Sequence, residues 1–262
     1  MGLLAGKNAL IFGVANERSI AWGITQAFHG EGARIGLSYA GEVLEKRVHS
    51  LAKTIDCRFV EPCDVSQDDE IHGLVEKAVK AFGKVDILVH AIGFANREEL
   101  SGPYYHTSRA GFHTAMDISV YSFTALAQAF QPHLVRGSAL LTLTYYGSEK
   151  VAPGYNVMGV AKAALESSVR YLAYDLGPQG VRVNAISAGP IRTLAAAGVS
   201  RFKDMYRHFT KLAPLQQHIT IEDVGEVAVF LCSEMAAKIT GEVLYVDSGY
   251  NIIGVPEPPE CE

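Results

Sequence analysis

The chain predicts a single-domain α/β protein: a doubly wound parallel sheet of seven strands with helices on both faces. Three observations lead there. Short, β-rich apolar runs alternate with longer helical patterns from start to end, the order that builds βαβ units. The first run is followed at once by a glycine turn, Gly13, and then by a helical pattern. The 262 residues also contain no internal repeat and no low-complexity linker, so one α/β domain accommodates them.

The expected strands are Asn8–Phe12, Arg34–Tyr39, Arg58–Glu61, Val85–Ala91, Ser138–Thr144, Val181–Ser187 and Glu242–Val246, with six helical segments between them. After the first comes Gly13-Val-Ala-Asn-Glu-Arg-Ser19-Ile20-Ala21-Trp22-Gly23. Gly13 permits the turn, and Ser19 is placed to cap a helix whose free N–H groups and positive dipole end suit a pyrophosphate. The loop is not Gly-x-Gly-x-x-Gly, and a glycine turn with serine occurs in many βα loops.

The second strand leads into Ser38-Tyr39-Ala40-Gly41-Glu42, where dinucleotide folds discriminate the adenosine ribose. An acid there favours a free 2′-hydroxyl and an arginine a 2′-phosphate. The nearest charge is Glu42, with Lys46 and Arg47 a turn further on, which favours NADH over NADPH. A solvated acid at a helix start explains Glu42 as well. Past the third strand, Asp64 reads as a turn former before a helix over Gln67–Ala81. Past the fourth, Gly93 lets backbone approach a ligand closely, and His90, with no second ligand or acid nearby in sequence, is a packing residue.

The fifth strand delivers Tyr145 to its carboxyl end, where ligands gather in doubly wound sheets. Pro153-Gly154 then breaks the chain before a helix expected to begin near Tyr155. Lys162 follows Tyr155 by two helical turns, which puts both side chains on one face. A phenol beside an ammonium is an acid. After the sixth strand, Gly189-Pro190-Ile191-Arg192-Thr193 redirects the chain, and small residues from Leu194 lead to Phe202, Met205, Tyr206 and Phe209 at i, i+3, i+4 and i+7. That stripe suits a movable lid over about 192–211, although such a stripe is more often plain core. Arg192, Arg201, Lys203, Arg207 and Lys211 face only Asp204 in this segment, a local excess of +4 that fits either a docking rim or a solvated helix face. The domain is expected to end near residue 254, with 255–262, rich in Pro and Glu, as a fraying tail.

Two of these stretches resemble one branch of the short-chain dehydrogenases/reductases. Most members of that superfamily carry Tyr-x3-Lys, whereas its enoyl-acyl-carrier-protein reductase branch carries Tyr-x6-Lys with a second Tyr ten residues upstream. Here the pattern is Tyr145…Tyr155-x6-Lys162, and Gly159 and Met158 stand where the shorter spacing would demand a lysine. The loop Gly13-x5-Ser19-Ile20-Ala21-x-Gly23 and the run His90-Ala91-Ile92-Gly93-Phe94-Ala95 are similar to that branch too, and the likeness extends from Gly6-Lys7 to Asp247-Ser-Gly249.

The resemblance implies a Rossmann-type domain that passes hydride from NADH to the β carbon of a trans-2-enoyl thioester. It implies Tyr155 as hydrogen-bond donor to the enolate oxygen, Lys162 sharpening that donor and holding the ribose, and Tyr145 against the substrate. Cofactor contacts would come from Gly13, Ser19, Ile20, Asp64, Val65, Ile92, Gly93, Lys162, Ile191 and Thr193. The acyl pocket would use Ala95, Tyr145, Tyr155, Met158, Ala195 and Phe202. Acyl carrier protein is the implied partner and a homotetramer the implied assembly, for which the Ala161-Ala164-Leu165-Ser168 side of the helix and the last strand offer small-residue faces. Two other readings stand beside it. A short-chain carbonyl or alcohol oxidoreductase would use Thr142, thirteen residues before Tyr155, as its carbonyl-binding hydroxyl; a non-catalytic dinucleotide sensor would have lost the Tyr or the Lys.

Composition excludes other classes. A net charge of −5 disfavours nucleic acid and anionic membrane surfaces, and no apolar run approaches the roughly 18 residues of a membrane span. With no export signal, a cytoplasmic location is expected and Cys57, Cys63, Cys232 and Cys261 are expected to be reduced and non-catalytic. No metal site is expected.

Overall fold

Residues 2–198 and 202–255 are described by the computed structural model. The strands are β1 (Asn8–Phe12), β2 (Arg34–Tyr39), β3 (Phe59–Pro62), β4 (Ile87–His90), β5 (Ala139–Thr144), β6 (Arg182–Ala188) and β7 (Val243–Val246). They form one sheet in the order β3-β2-β1-β4-β5-β6-β7, every neighbour parallel. The order reverses between β1 and β4, the crevice where such sheets bind ligands.

Strand periodicity explains why both faces are covered. Ala9 and Ile11 of β1 enter one core while Leu10 and Phe12 enter the other, and in β4 Ile87 and Val89 oppose Leu88 in the same way. On the first face α1 (Ile20–Gly30) contributes Trp22, Ile24 and Phe28, α2 (Glu42–Thr54) contributes Val48, and α8 (Ile221–Cys232) contributes Val224 and Leu231. On the second, α3 (Asp68–Phe82) brings Leu74, α5 (Ser122–Phe130) brings Phe123 and Phe130, and α6 (Val157–Leu176) brings Leu165 and Val169. Fully buried strands of this kind read in sequence as continuous apolar runs, which is why their existence was legible.

The connections differ from expectation in two places. Between β4 and β5 the helix is interrupted, α4 (Arg109–Met116) passing through a π-turn at Asp117–Tyr121 into α5. Between β6 and β7 there are two helices, α7 (Phe202–Leu212) and α8. Six segments thus become eight helices among the described residues. β3 is shifted by one residue and β4 is shorter at both ends, because only Ile87–His90 pair on both sides. The expected tail and lid overlap residues 256–262 and 199–201, which lie outside the described residues.

α1 and α8 approach at backbone distance. A Cβ on Gly23 would overlap the Ile221 carbonyl, and one on Gly225 would lie 2.7 Å from the Gly23 oxygen. A capping box at Thr220 and Asp223 fixes where α8 begins. Gly23→Ala therefore should destabilise the protein by about 1–3 kcal/mol, despite the better helix propensity of alanine. Urea unfolding measures it; an unchanged midpoint would mean that the two helices slide apart freely.

Candidate active site

Register brings four loops to one mouth. Phe12 pairs with His90, His90 with Thr142, and Thr144 with Ser187, so the loops after β1, β4, β5 and β6 open side by side. Between them lies a cavity of about 600 Å³. Ile20, Ile92, Gly93 and Ala95 line one side, Tyr145, Tyr155, Met158 and Lys162 the middle, and Ile191, Thr193, Ala195 and Phe202 the other. These twelve residues were expected at the site, and the fold brings them together.

Tyr155 reaches the cavity by a different route from the one expected. α6 begins at Val157, not near Tyr155, because Asn156 adopts φ 41°, ψ −120° and breaks the helical path. Tyr155 belongs to the turn before the helix, its N–H bonded to Ala152 O at 3.0 Å. Tyr155 and Lys162 therefore do not share a helix face as expected, although both meet in the cavity. Tyr145, just past β5, lies edge-on to Tyr155 with ring centroids 5.0 Å apart and planes at 77°. Its hydroxyl donates to Met205 Sδ at 3.1 Å.

Gly147 and Gly159 shape this corner. A Cβ on Gly147 would come within 2.7 Å of the Tyr155 ring, and one on Gly159 within 2.7 Å of Gly147 O. The position four residues after Tyr155 therefore has no room for a lysine. Lys162, buried at 6% exposure, instead turns its ammonium to Leu143 O at 2.8 Å. Burial pulls it down to about 8, with Glu166 acting the other way. Burial raises the pKa of Tyr155, and Tyr145 and Glu166 add to that direction, which is opposite to the sharpening expected from Lys162. The phenol is a neutral hydrogen-bond donor throughout the physiological range.

The remaining expected residues lie along the same edge but outside the cavity wall. Gly13 has φ 100°, and a Cβ there would overlap Ala91 O. Ser19 stands at the N-cap of α1, but its hydroxyl accepts from Ala15 N and Asn16 N, each at 3.0 Å, instead of capping the helix. The loop is tied to itself, and in the first turn of α1 Trp22 N and Gly23 N bond to the Ser19 carbonyl at 2.9 and 3.2 Å. Asp64 closes a turn, accepting from Ser66 N at 3.0 Å and Ser66 Oγ at 2.8 Å, beside buried Val65. Glu42 is exposed at the start of α2.

Thr142 does not reach the cavity. Its hydroxyl is fully buried, donates to His90 O at 3.0 Å, and lies 2.9 Å from His90 Nδ1. His90 Nε2 meets Ser122 Oγ at 2.8 Å, and burial pushes the imidazole down to about 3, so His90 is a neutral packing residue as expected. Sequence reasoning missed Ser119 and Glu166. The π-turn aims buried Ser119 at Phe94, accepting from its N–H at 2.9 Å and donating to its carbonyl at 3.0 Å. Glu166, buried, accepts from Thr144 at 2.6 Å. A charge one turn past Lys162, among apolar positions, was the available signal.

α7 covers the cavity's outer side through Phe202 and Met205. Tyr206 stacks on His218 at 3.8 Å and carries the Arg192 guanidinium 4.3 Å above its ring. Lys203, Arg207 and Lys211 are exposed; Arg201 lies outside the described residues. Burial pushes the thiols of Cys57, Cys63 and Cys232 up to about 11, 12 and 12, and all three are free, as expected; Cys261 is outside the described residues. Among the described residues no three His, Cys, Asp or Glu side chains form a metal-binding group, and no helix is long and apolar enough to cross a membrane.

A family model described as Enoyl-(Acyl carrier protein) reductase matches residues 13–251. The chain is 56% identical over 256 residues, 97% of its length and 95% of the relative's, to an enoyl-[acyl-carrier-protein] reductase [NADH] FabI of Aquifex aeolicus. Its identity to the corresponding Nostoc protein is 49%, over 96% of this chain and 99% of that one. The Aquifex crystal structure superposes with a TM-score of 0.95 at 55% identity, over 97% of this chain and 100% of that one. A complex of the Anaplasma phagocytophilum reductase with NAD gives 0.94 at 43% identity, over 100% and 98%. Matched by the family model over most of its length and by these relatives over nearly all of it, the chain belongs to the enoyl-(acyl carrier protein) reductase family.

Proposed function

We propose that this protein reduces the 2,3 double bond of trans-2-enoyl-acyl-carrier-protein thioesters with NADH, the last reductive step of bacterial type II fatty-acid elongation. The observation that carries the reading is the Tyr145–Tyr155 ring pair beside Lys162 in one cavity, with Gly159 unable to bear a side chain. The residues fit a dinucleotide: the cavity wall carries no side chain at Gly93, where a Cβ would lie 3.5 Å from Lys162 Nζ, and Gly13 lets the β1 loop turn tightly against Ala91. When bound, the reduced nicotinamide supplies the hydride.

The protein's own part is electrostatic. Tyr155, kept protonated by burial, donates to the thioester oxygen as charge develops on it. Lys162 holds the ribose hydroxyls of the cofactor. Tyr145 packs on Tyr155 and covers the reacting end of the acyl chain, which Ala95, Met158, Ala195 and Phe202 surround. Gly13, Ser19, Ile20, Asp64, Val65, Ile92, Ile191 and Thr193 are the remaining cofactor contacts. The segment 192–211 acts as the lid, with Lys203, Arg207 and Lys211 as an exposed rim that steers acidic acyl carrier protein.

A cytoplasmic homotetramer is the assembly. Exposed Tyr171 and Tyr174 on α6, and Leu244 on the free edge of β7, supply apolar surface for it. Ala161 and Leu165 do not, since both are fully buried in the core. The ketone-reducing alternative loses its hydroxyl, Thr142 being engaged with His90.

NADH should be oxidised with crotonyl but not with acetoacetyl thioesters, followed at the nicotinamide absorbance; the reverse preference would overturn the reading. Tyr155→Phe should lower kcat about 10²–10³-fold with little change in NADH affinity, and Lys162→Met should damage both. Undiminished turnover in Tyr155→Phe would remove it from the chemistry. Lys162, with its pKa lowered to about 8, predicts kcat falling as pH rises through that value, because the ammonium is lost. Stability runs the other way: from about 8 to 10.5 the unfolded chain binds the extra proton, so Lys162 makes the fold more stable as pH rises. Arg207→Glu should raise KM for the carrier-protein substrate and spare a coenzyme A substrate; equal effects on both would make the rim incidental.

A further inference from the structure

Glu166 is a buried charged side chain behind this cavity to which the roles above assign nothing. It sits in the middle of α6 at 7% exposure, flanked by fully buried Leu165 and Val169. A carboxylate there is costly unless something uses it. Among the described residues it forms no ion pair, and its hydrogen bond comes from a neutral hydroxyl, Thr144 Oγ1 at 2.6 Å.

Its neighbours give it a purpose. Lys162 stands one helical turn before it on the same helix, also buried, donating to Leu143 O at 2.8 Å. Leu143 and Thr144 are the last residues of β5 before Tyr145. α6 thus grips the end of that strand at two successive residues, by a cation on the 143 carbonyl and by an anion on the 144 hydroxyl. We propose that Glu166 is a positioning residue of this site: it is the buried counter-charge that keeps Lys162 an ammonium and, through Thr144, fixes where β5 delivers Tyr145. The inference rests on the roles given to Lys162 and Tyr155 above.

The electrostatics agree with the geometry. Burial favours the neutral amine of Lys162, and Glu166 is the group that favours the ammonium. The other groups facing Lys162 do not change charge near neutrality. Tyr155, from the turn before α6, has its pKa raised by burial; Tyr145, after β5, is pushed up to about 12; His90, on β4, is pushed down to about 3. Tyr245 of β7 faces Glu166 and is likewise raised, first by burial and then by Glu149, to which it donates, and by Glu166. A neutral Lys162 would lose the charge that steadies an oxyanion beside it and weaken its hold on ribose hydroxyls.

The test separates charge from packing. In cofactor-free protein carrying ¹³C-labelled lysine, the Lys162 resonance, assigned by its absence from Lys162→Met, is titrated by NMR. Glu166→Gln, which can still accept from Thr144, should lower the Lys162 pKa by about one unit or more, and should shift the alkaline limb of kcat and the loss of NADH affinity by the same amount. Glu166→Asp withdraws the charge by one methylene and should shift both in the same direction by less. Thr144→Val keeps the charge, so it should leave the Lys162 titration in place while lowering kcat. An unmoved Lys162 titration in whichever of the two Glu166 variants folds overturns the inference. Full turnover and NADH binding in Lys162→Met would instead overturn the roles on which it rests.

Discussion

A cation buried in an apolar cavity at the end of a parallel strand is the constraint on which this site depends. Lys162 keeps its place because the last turn of β5 offers it the Leu143 carbonyl and because α6 runs directly alongside. An ammonium in such a place loses several kcal/mol of hydration, so every polar atom near it matters to its charge state. The two phenols respond to the same burial in the opposite sense. They are held neutral, and it is as neutral donors that they can answer a charge appearing on a substrate oxygen.

Close backbone approaches shape the cavity as much as side chains do. Gly147 and Gly159 lie so near each other and the Tyr155 ring that neither position between β5 and α6 has room for a side chain. That crowding moves the cationic partner of Tyr155 from four residues downstream to seven. The consequence is geometric: the lysine reaches the cavity from about one turn further along α6, and the space that a nearer side chain would need is taken by the Gly147 carbonyl. On the opposite side of the mouth, Gly13 holds a left-handed conformation against Ala91, so the β1 loop can fold over the switch point without a side chain in the way.

The buried polar atoms behind the cavity are arranged in pairs that tie strands to helices. His90 joins β4 to β5 and α5 through Thr142 and Ser122; Ser119 clips the Phe94 backbone to the π-turn; Thr144 joins β5 to Glu166. Each pair satisfies groups that would otherwise be desolvated and unpaired, and each fixes a loop that lines the mouth. In the outer wall, α7 rests on Tyr145 through Met205 and on His218 through Tyr206.

The sequence by itself determined the architecture and most of the cavity wall. Fully buried strands read as apolar runs whatever they pair with, and the spacing of Tyr145, Tyr155 and Lys162 with the glycines around them is a local pattern. Boundaries and orientations were not legible. That α6 starts after Tyr155 depends on Asn156 taking φ 41°, and that Ser19 closes its own loop depends on where Ala15 and Asn16 turn their N–H groups. Only the tertiary structure decided that Thr142 is spent on His90, that Glu166 shares the burial of Lys162, and that burial governs the phenols. Desolvation and hydrogen-bond partnership are set by residues distant in the chain, and no spacing rule within one segment encodes them.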